Sequence, residues 1–453
     1  MSTKQKLVLL VAILGSFVAF LDGSVVTVAL PQISEQLGGG LGVQQWVTDA
    51  YLITLGSLIL AAGSLSDIFG RKKILVYGLV GFLVASLLCT VALTAEWLII
   101  ARALQGVAGA LLVPSSLALI ISAFKGKEQS KAIGSWTGWT GVAFIIGPLV
   151  GGLLVDLLSW RFVFAINVIP IAVALFFASK LSIDKAIKKS ARFDLSGAVL
   201  GAAGLAGVVF ALIEQGNLGW SNPAVWATFV GGIVALIAFI LHERSAADPM
   251  LPLGLFRERN FSVGNVATFM IYAALSLQGF LLAIFLQQVA GFSATFSGLA
   301  SLPVTFLMLF LSSKFGALSG KYGPRVFMAI GPIIAGLGVL LLSTANTPTN
   351  YWLEILPGIL VFGIGLSITV APLTSAILSS IESAQAGVGS AVNNAVSRIA
   401  GLLAVAMIGI FIGTSITNQG FQTGMIMCAI LLVLGGIVSA IGIQNKTRDT
   451  DHA

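Results

Sequence analysis

Charge is scarce in this 453-residue sequence: Asp, Glu, Lys and Arg together make up 9% of it, where a soluble domain carries about a quarter. That shortage excludes a water-soluble globule. It also excludes a disordered chain, which would be polar and charge-rich. Cysteine is nearly absent: Cys89 and Cys428 each stand inside an apolar run, which leaves neither a disulfide framework nor a zinc cluster. The two histidines, His242 and His452, fall in polar connections, so the apolar runs hold no histidine metal site. No phosphate-cradling G-x-x-x-x-G-K-[S/T] segment occurs, and with it goes any ATP engine. The net charge of +7 has no long soluble stretch on which to gather, which removes nucleic acid as a partner.

What the sequence has is apolar length. Residues of the hydrophobic set make up 57%, and the mean hydropathy is +1.02. The apolar runs are continuous and about 20 residues long, the length of a membrane-crossing helix, without the alternation of a transmembrane barrel. They fall near 7–30, 44–65, 74–94, 97–122, 132–155, 161–179, 194–213, 224–241, 261–290, 297–319, 326–344, 353–377, 388–411 and 423–443. The expectation is an all-α integral membrane protein with fourteen spans. Lys4 and Lys6 precede the first run, but it outruns a signal peptide and no small-residue cleavage site follows, so it reads as retained.

An even number of spans puts both chain ends on one side, and Lys and Arg choose which. With the ends and the connections after even-numbered spans in the cytoplasm, Arg161 alone sits at the opposite face, while Arg102 and Arg398 lie within spans. The sequons at Asn260 and Asn445 are then cytoplasmic, which fits a multi-pass protein of a bacterial plasma membrane.

An internal repeat organises the spans. Gly63-Ser-Leu-Ser-Asp67-Ile-Phe-Gly70-Arg71-Lys72 follows span 2, and Gly316-Ala-Leu-Ser-Gly320-Lys-Tyr-Gly323-Pro-Arg325 follows span 10, at an offset of 253 residues. The same offset carries Leu7, at the start of span 1, to the start of span 9. The repeat therefore predicts a six-helix bundle over 1–180, an inserted two-helix hairpin over 194–242 and a second six-helix bundle over 260–445. Two six-helix halves related by a parallel repeat form the architecture of the major facilitator fold.

Several stretches then carry a family likeness. Leu21-Asp22-Gly-Ser-Val-Val-Thr-Val-Ala-Leu-Pro31 resembles the first-span motif of the fourteen-span drug:proton antiporters of the major facilitator superfamily, departing at Ser24 and Thr27. Gly63 to Lys73 resembles the superfamily's loop motif, with Ile68 in place of a basic residue. Arg102-Ala-Leu-Gln105-Gly106 is similar to the fourth-span motif. Gly134 with Gly147-Pro148-Leu-Val-Gly151-Gly152 is similar to the antiport-associated fifth-span motif, with Ala143 where a glycine is expected. Gln287-Gln288-Val-Ala-Gly291 through Gly298 and Pro303 resembles the ninth-span exit, and Asn393-Asn394-Ala-Val-Ser-Arg398 the start of span 13. The resemblance implies export of small amphipathic cargo in exchange for protons, with Asp22 coupling proton entry to cargo exit. It also implies a cofactor-free monomer driven by the proton gradient.

The residues themselves keep alternatives open. Asp22 interrupts an apolar span about 23 Å from its cytoplasmic start at helical rise. A charge there is costly, so the carboxyl is either a proton-exchanging site or a structural partner of a neighbouring span. Arg102 cannot shed its charge and needs a partner, for which Asp22 is the deep acid available in the first half; it is either a proton-relay or field-setting residue coupled to Asp22 or a purely structural partner. Arg398, about ten residues into span 13, can snorkel to the cytoplasm and reads as gate structure. Asp49, near the outer end of span 2, is either a second titrating or cation-recognising acid or a solvated residue beside aromatic anchors. Glu214 and Glu354, at outer helix ends, read as solvated. Asp67 and Arg71 flank the turn closed by Gly70 and offer a gate latch, or Arg71 simply anchors the cytoplasmic side. The span-5 glycines Gly134, Gly138, Gly141, Gly147, Gly151 and Gly152, with Pro148, allow either sliding or close static packing. Trp136 and Trp139 offer a wall to an aromatic or cationic cargo, or are ordinary packing. A metabolite importer or a lipid-precursor exporter on the same fold is the alternative reading. An embedded enzyme lacks a nucleophile–base pair in the spans.

Overall fold

The computed structural model describes residues 1–181, 194–246, 249–382, 385–413 and 415–445. No strand occurs among them. Fourteen of their helices are long and apolar enough to cross a membrane. In chain order these spans 1 to 14 are Thr3–Leu37, Gly40–Gly63, Arg71–Thr90, Ala95–Ala123, Lys131–Leu157, Phe162–Ser179, Leu195–Leu218, Pro223–Ser245, Arg259–Val289, Ala294–Tyr322, Pro324–Leu342, Tyr351–Leu378, Gly387–Ile412 and Asn418–Gly442. The all-helical architecture follows from the solvent: lipid offers backbone groups no partner, so each segment must satisfy its own.

The helix starts are written locally. Ser2 and Gln5 close a capping box at the start of span 1. Thr94, Asp194, Asn222 and Asn350 accept backbone N–H groups at the starts of spans 4, 7, 8 and 12, each side chain replacing a missing intrahelical acceptor. The turns of the repeat are equally explicit. Gly70 and Gly323 hold φ of 97° and 87°, a region that excludes most side chains. Their N–H groups donate to Ser66 O and Ser319 O, residues that themselves stand one repeat apart. Beyond each turn a basic side chain donates to the end of its half's last span: Lys72 Nζ to Leu181 O, and Arg325 Nε to Ala440 O at 2.7 Å. A cation at a helix C-terminus satisfies orphan carbonyls and the helix dipole together.

The chain forms two compact units. The first comprises Met1–Leu251, Leu282–Leu299 and Val405–Thr417, and the second Pro252–Leu281, Ala300–Ala404 and Asn418–Ala453. The end of span 9, the start of span 10 and the end of span 13 thus belong to the first unit. Span 9 leaves through a π-helical turn, Phe285–Val289, that carries Gln287 and Gln288, and Gln287 Nε2 donates to Val28 O of span 1 at 3.0 Å.

Spans 7 and 8 form the inserted hairpin, closed by small residues. A Cβ on Gly207 would stand 2.7 Å from Thr228 O, and one on Gly232 2.6 Å from Val208 N. The hairpin docks on span 2, where Trp46 Nε1 donates to Glu214 Oε1 at 2.7 Å and the Trp46 ring lies against Phe210. Glu214 is therefore not simply solvated: an indole N–H within reach uses its carboxylate. Glu354 likewise accepts the Asn350 N–H, at 2.7 Å. Span 8 is far less buried than span 1, and its apolar face (Val230, Val234, Ile237 and Leu241 are exposed) is left for lipid.

These turns make a stability prediction. Gly323→Ala should destabilise by about 1–2 kcal/mol through its left-handed backbone alone, and the added Cβ would also meet the Asn445 side chain. Gly320→Ala, a helical position where nothing lies within 4 Å, should be neutral or stabilising. Thermal unfolding of the two purified variants checks the contrast.

Candidate functional site

Five spans of the first unit meet at Asp22. Its Oδ2 accepts from Arg102 Nη1 of span 4 at 2.6 Å, and its Oδ1 accepts from Gln105 Nε2 of span 4 and Asn167 Nδ2 of span 6, both at 2.9 Å. Gln105 and Asn167 share a further acceptor, Ser86 Oγ of span 3, at 3.0 and 3.4 Å. Arg102 spends its remaining reach on Gln105 Oε1 at 2.6 Å and on Val47 O of span 2 at 3.0 Å. The Tyr51 ring lies 4.3 Å from its guanidinium carbon. Asp22, Ser86, Gln105 and Asn167 are fully buried, and Arg102 is 2% exposed.

The geometry is that of an ion pair solvated by protein. An ionised carboxylate only accepts hydrogen bonds, and three donors converge on this one. A guanidinium only donates, and it finds a carboxylate, an amide oxygen and a main-chain carbonyl. Neither charge could stand alone, because an unpaired charge in a dry interior costs several kcal/mol. The local sequence supports the meeting. Gly106, beside Gln105, has no room for a side chain: a Cβ there would lie 2.3 Å from Tyr51 O. Spans 2 and 4 therefore approach backbone to backbone, and Arg102 reaches across to Val47.

Asp49 is also fully buried, which removes the reading of a solvated surface acid. Neither of its carboxylate oxygens has a hydrogen-bond partner among the described residues. Trp136 is half-buried and donates from Nε1 to Ser16 Oγ of span 1 at 3.0 Å, whereas Trp139 is 52% exposed. The loop-motif residues Gly63, Gly70 and Arg71 stand where span 2 passes into span 3. The Asp67 side chain lies outside the described residues. Arg398 is half-buried in span 13 of the second unit. In the same motif Asn393 Nδ2 donates to Thr268 Oγ1 and Asn265 Oδ1 of span 9, at 2.8 and 3.1 Å.

The span-5 glycines divide into two sets. Gly134, Gly138 and Gly141 have nothing within 4 Å of a notional Cβ. Gly147 and Gly151 have none of that freedom: a Cβ would meet Ser24 Oγ at 1.9 Å and Val25 O at 2.9 Å, both on span 1. Gly152 would meet Ala294 O at 2.5 Å at the start of span 10. The tight set surrounds Pro148, and within it Gly147 and Gly151 touch span 1 two and three residues after Asp22.

The chain matches the family profile of the Major Facilitator Superfamily over residues 12–405. The chain belongs to the major facilitator superfamily. It is a transporter of small molecules and not an enzyme. This facilitator is 32% identical over 411 residues to the methylenomycin A resistance protein of Bacillus subtilis (strain 168), covering 90% of this chain and 88% of that protein. It is 30% identical over 412 residues to the tetracenomycin C resistance and export protein of Streptomyces glaucescens, covering 90% and 76%. In fold it is similar to a peptide transporter POT crystallised with sulfate, at a TM-score of 0.70 and 15% identity, over 97% of this chain and 94% of that one.

Sequence reasoning found Asp22 and Arg102, and the facilitator brings them into contact. Gln105, inside the fourth-span motif, Ser86 and Asn167 complete the network and do not stand out in the sequence. A neutral polar residue in a span is common, and only helix packing shows which of them converge. The pairing predicts strong coupling. Arg102→Gln or Asp22→Asn alone should cost about 3–5 kcal/mol by leaving a buried charge without its partner. The double variant should cost less than the sum by more than about 1.5 kcal/mol. A double-mutant cycle on thermal unfolding in detergent measures it.

Proposed function

We propose that the protein is a proton-driven exporter of small amphipathic compounds, often cationic, working by alternating access as a monomer without a cofactor. The observation that carries this reading is the buried Asp22–Arg102 pair, supported by relatives named for antibiotic resistance and export. Its place is a bacterial plasma membrane with both termini in the cytoplasm, the orientation that the positive-inside distribution favours. The six-helix segments 1–180 and 260–445 are the two rocking halves, and 194–242 is an accessory hairpin.

Coupling follows from what a proton would do at Asp22. Protonation cancels the charge that holds Arg102 and gives Asp22 an O–H of its own to place among three donors. The bond between spans 1 and 4 weakens, and Arg102 keeps its hold on span 2 through Val47. A ligand changes a conformational balance only through a difference in affinity between states, and a proton that breaks an ion pair in one state has that difference. Asp49, buried with no hydrogen bond to its carboxyl, is the second acid proposed to exchange a proton or a cationic cargo. Trp136 and Trp139 supply aromatic surface toward cargo.

The decisive variant is Asp22→Asn, with Asp22→Glu as the titrating control. In proteoliposomes, Asp22→Asn should lose uphill export of a lipophilic cation and retain downhill exchange, because exchange needs the rocking motion and not net proton transfer. Glu35→Gln, at an exposed acid, should leave uphill export unchanged. Full uphill export by folded Asp22→Asn protein would move coupling to Asp49 or elsewhere. The orientation has its own test. A single cysteine at Asn217, in the last turn of span 7, should label from outside intact cells with an impermeant maleimide, and protection there would contradict the assignment.

A further inference from the structure

Beyond the proton site, one acid joins two distant segments of the first unit. Asp156 ends span 5 and spends both carboxylate oxygens on the first residues of span 10: Oδ1 accepts from Ala294 N at 3.1 Å, and Oδ2 from Thr295 N at 2.7 Å. The contact continues down the same face of span 5, one helical turn at a time. A Cβ on Gly152, four residues earlier, would lie 2.5 Å from both Ala294 O and Thr295 Cα. Four residues before that, the Pro148 carbonyl would lie 2.2 Å from a Cβ on Gly298. Pro148, Gly152 and Asp156 thus form a stripe that lies bare backbone against bare backbone, and the carboxylate ties off its exposed end.

We propose that Asp156 is a positioning residue of the transport cycle, an outer latch that holds the start of span 10 on span 5 and must release it for the outer side to open. The idea rests on the alternating-access reading. A carboxylate at a helix N-terminus satisfies two orphan N–H groups and the positive end of the helix dipole at once. These two helices are far apart in sequence, so the hold is tertiary. It is also reversible: Asp156 is exposed, and water can take over both of its hydrogen bonds on release. The stripe is joined to the proton site through span 1. Asp22 lies two residues before Ser24, which fills the space beside Gly147, and Val25 fills that beside Gly151. A shift of span 1 at Asp22 therefore bears on the helix that carries the latch.

The test reads opening without reading transport. Ser297, one turn into span 10, is 3% exposed, and Ser297→Cys serves as reporter in the protein retaining buried Cys89 with Cys428 replaced by Ser. Intact cells are treated with an impermeant maleimide in the absence of cargo. The expected result is slow labelling with Asp156 present and labelling at least fivefold faster in Asp156→Ala. Asp156→Asn, which keeps one acceptor oxygen, should fall between and serves alone if the alanine variant does not fold. Cys89 should stay unlabelled throughout, because release of a latch does not expose the buried network. Labelling of Ser297→Cys unchanged within twofold would overturn the latch, and so would parallel labelling of Cys89, which marks general loosening. Neither readout depends on proton-driven export, so a failure of the exporter reading appears separately, in proteoliposomes.

Discussion

A charge inside a lipid-embedded protein must bring its own solvent. That requirement governs the arrangement around Asp22, whose carboxylate has an arginine, a glutamine and an asparagine in place of water. Each ligand comes from a different position on spans 4 and 6, and Arg102 binds span 2 while Gln105 binds span 3. The charge therefore specifies where five helices must cross. A proton added there is proposed to loosen the tie between spans 1 and 4 while Arg102 keeps its hold on Val47 of span 2.

The two halves of the repeat keep the structural device and differ in the chemical one. Gly70 and Gly323 turn the chain in the same left-handed conformation, and Lys72 and Arg325 cap the last span of their own halves. These features depend on backbone geometry, which both halves need. The residue one repeat after Asp22 is Leu275, and the residue one repeat after Arg102 is Ile355. The second unit carries half-buried Arg398 in span 13 and neutral contacts such as Asn393 on Thr268 and Asn265. Proton chemistry is thus proposed to sit in one half, against a second half that keeps the frame.

Much of the frame was readable from residues alone, for a physical reason. A span needs about 20 apolar residues in a row, and a repeat preserves its glycines because left-handed turns tolerate little else. The deep charges were readable singly, since each is costly and stands out. Their partners were not. Ser86 and Asn167 are ordinary polar residues until helix packing brings them together. The same limit applied at span ends, where Glu214 and Glu354 read as solvated and Asp49 as either a titrating or a solvated acid. Asp49 is instead buried, Glu214 holds an indole, and Asp156 holds two main-chain amides. Among the span-5 glycines, the tight set is told from the loose one only by what faces them.

The central claim is that Asp22 carries the exchanged proton. It is tested most directly by proton release from the solubilised protein in weakly buffered solution, on adding saturating tetraphenylphosphonium as the cargo probe. Cargo binding is expected to release protons from the wild-type protein, and Asp22→Asn, binding the same probe, to release fewer or none. Undiminished release from the folded variant would contradict it.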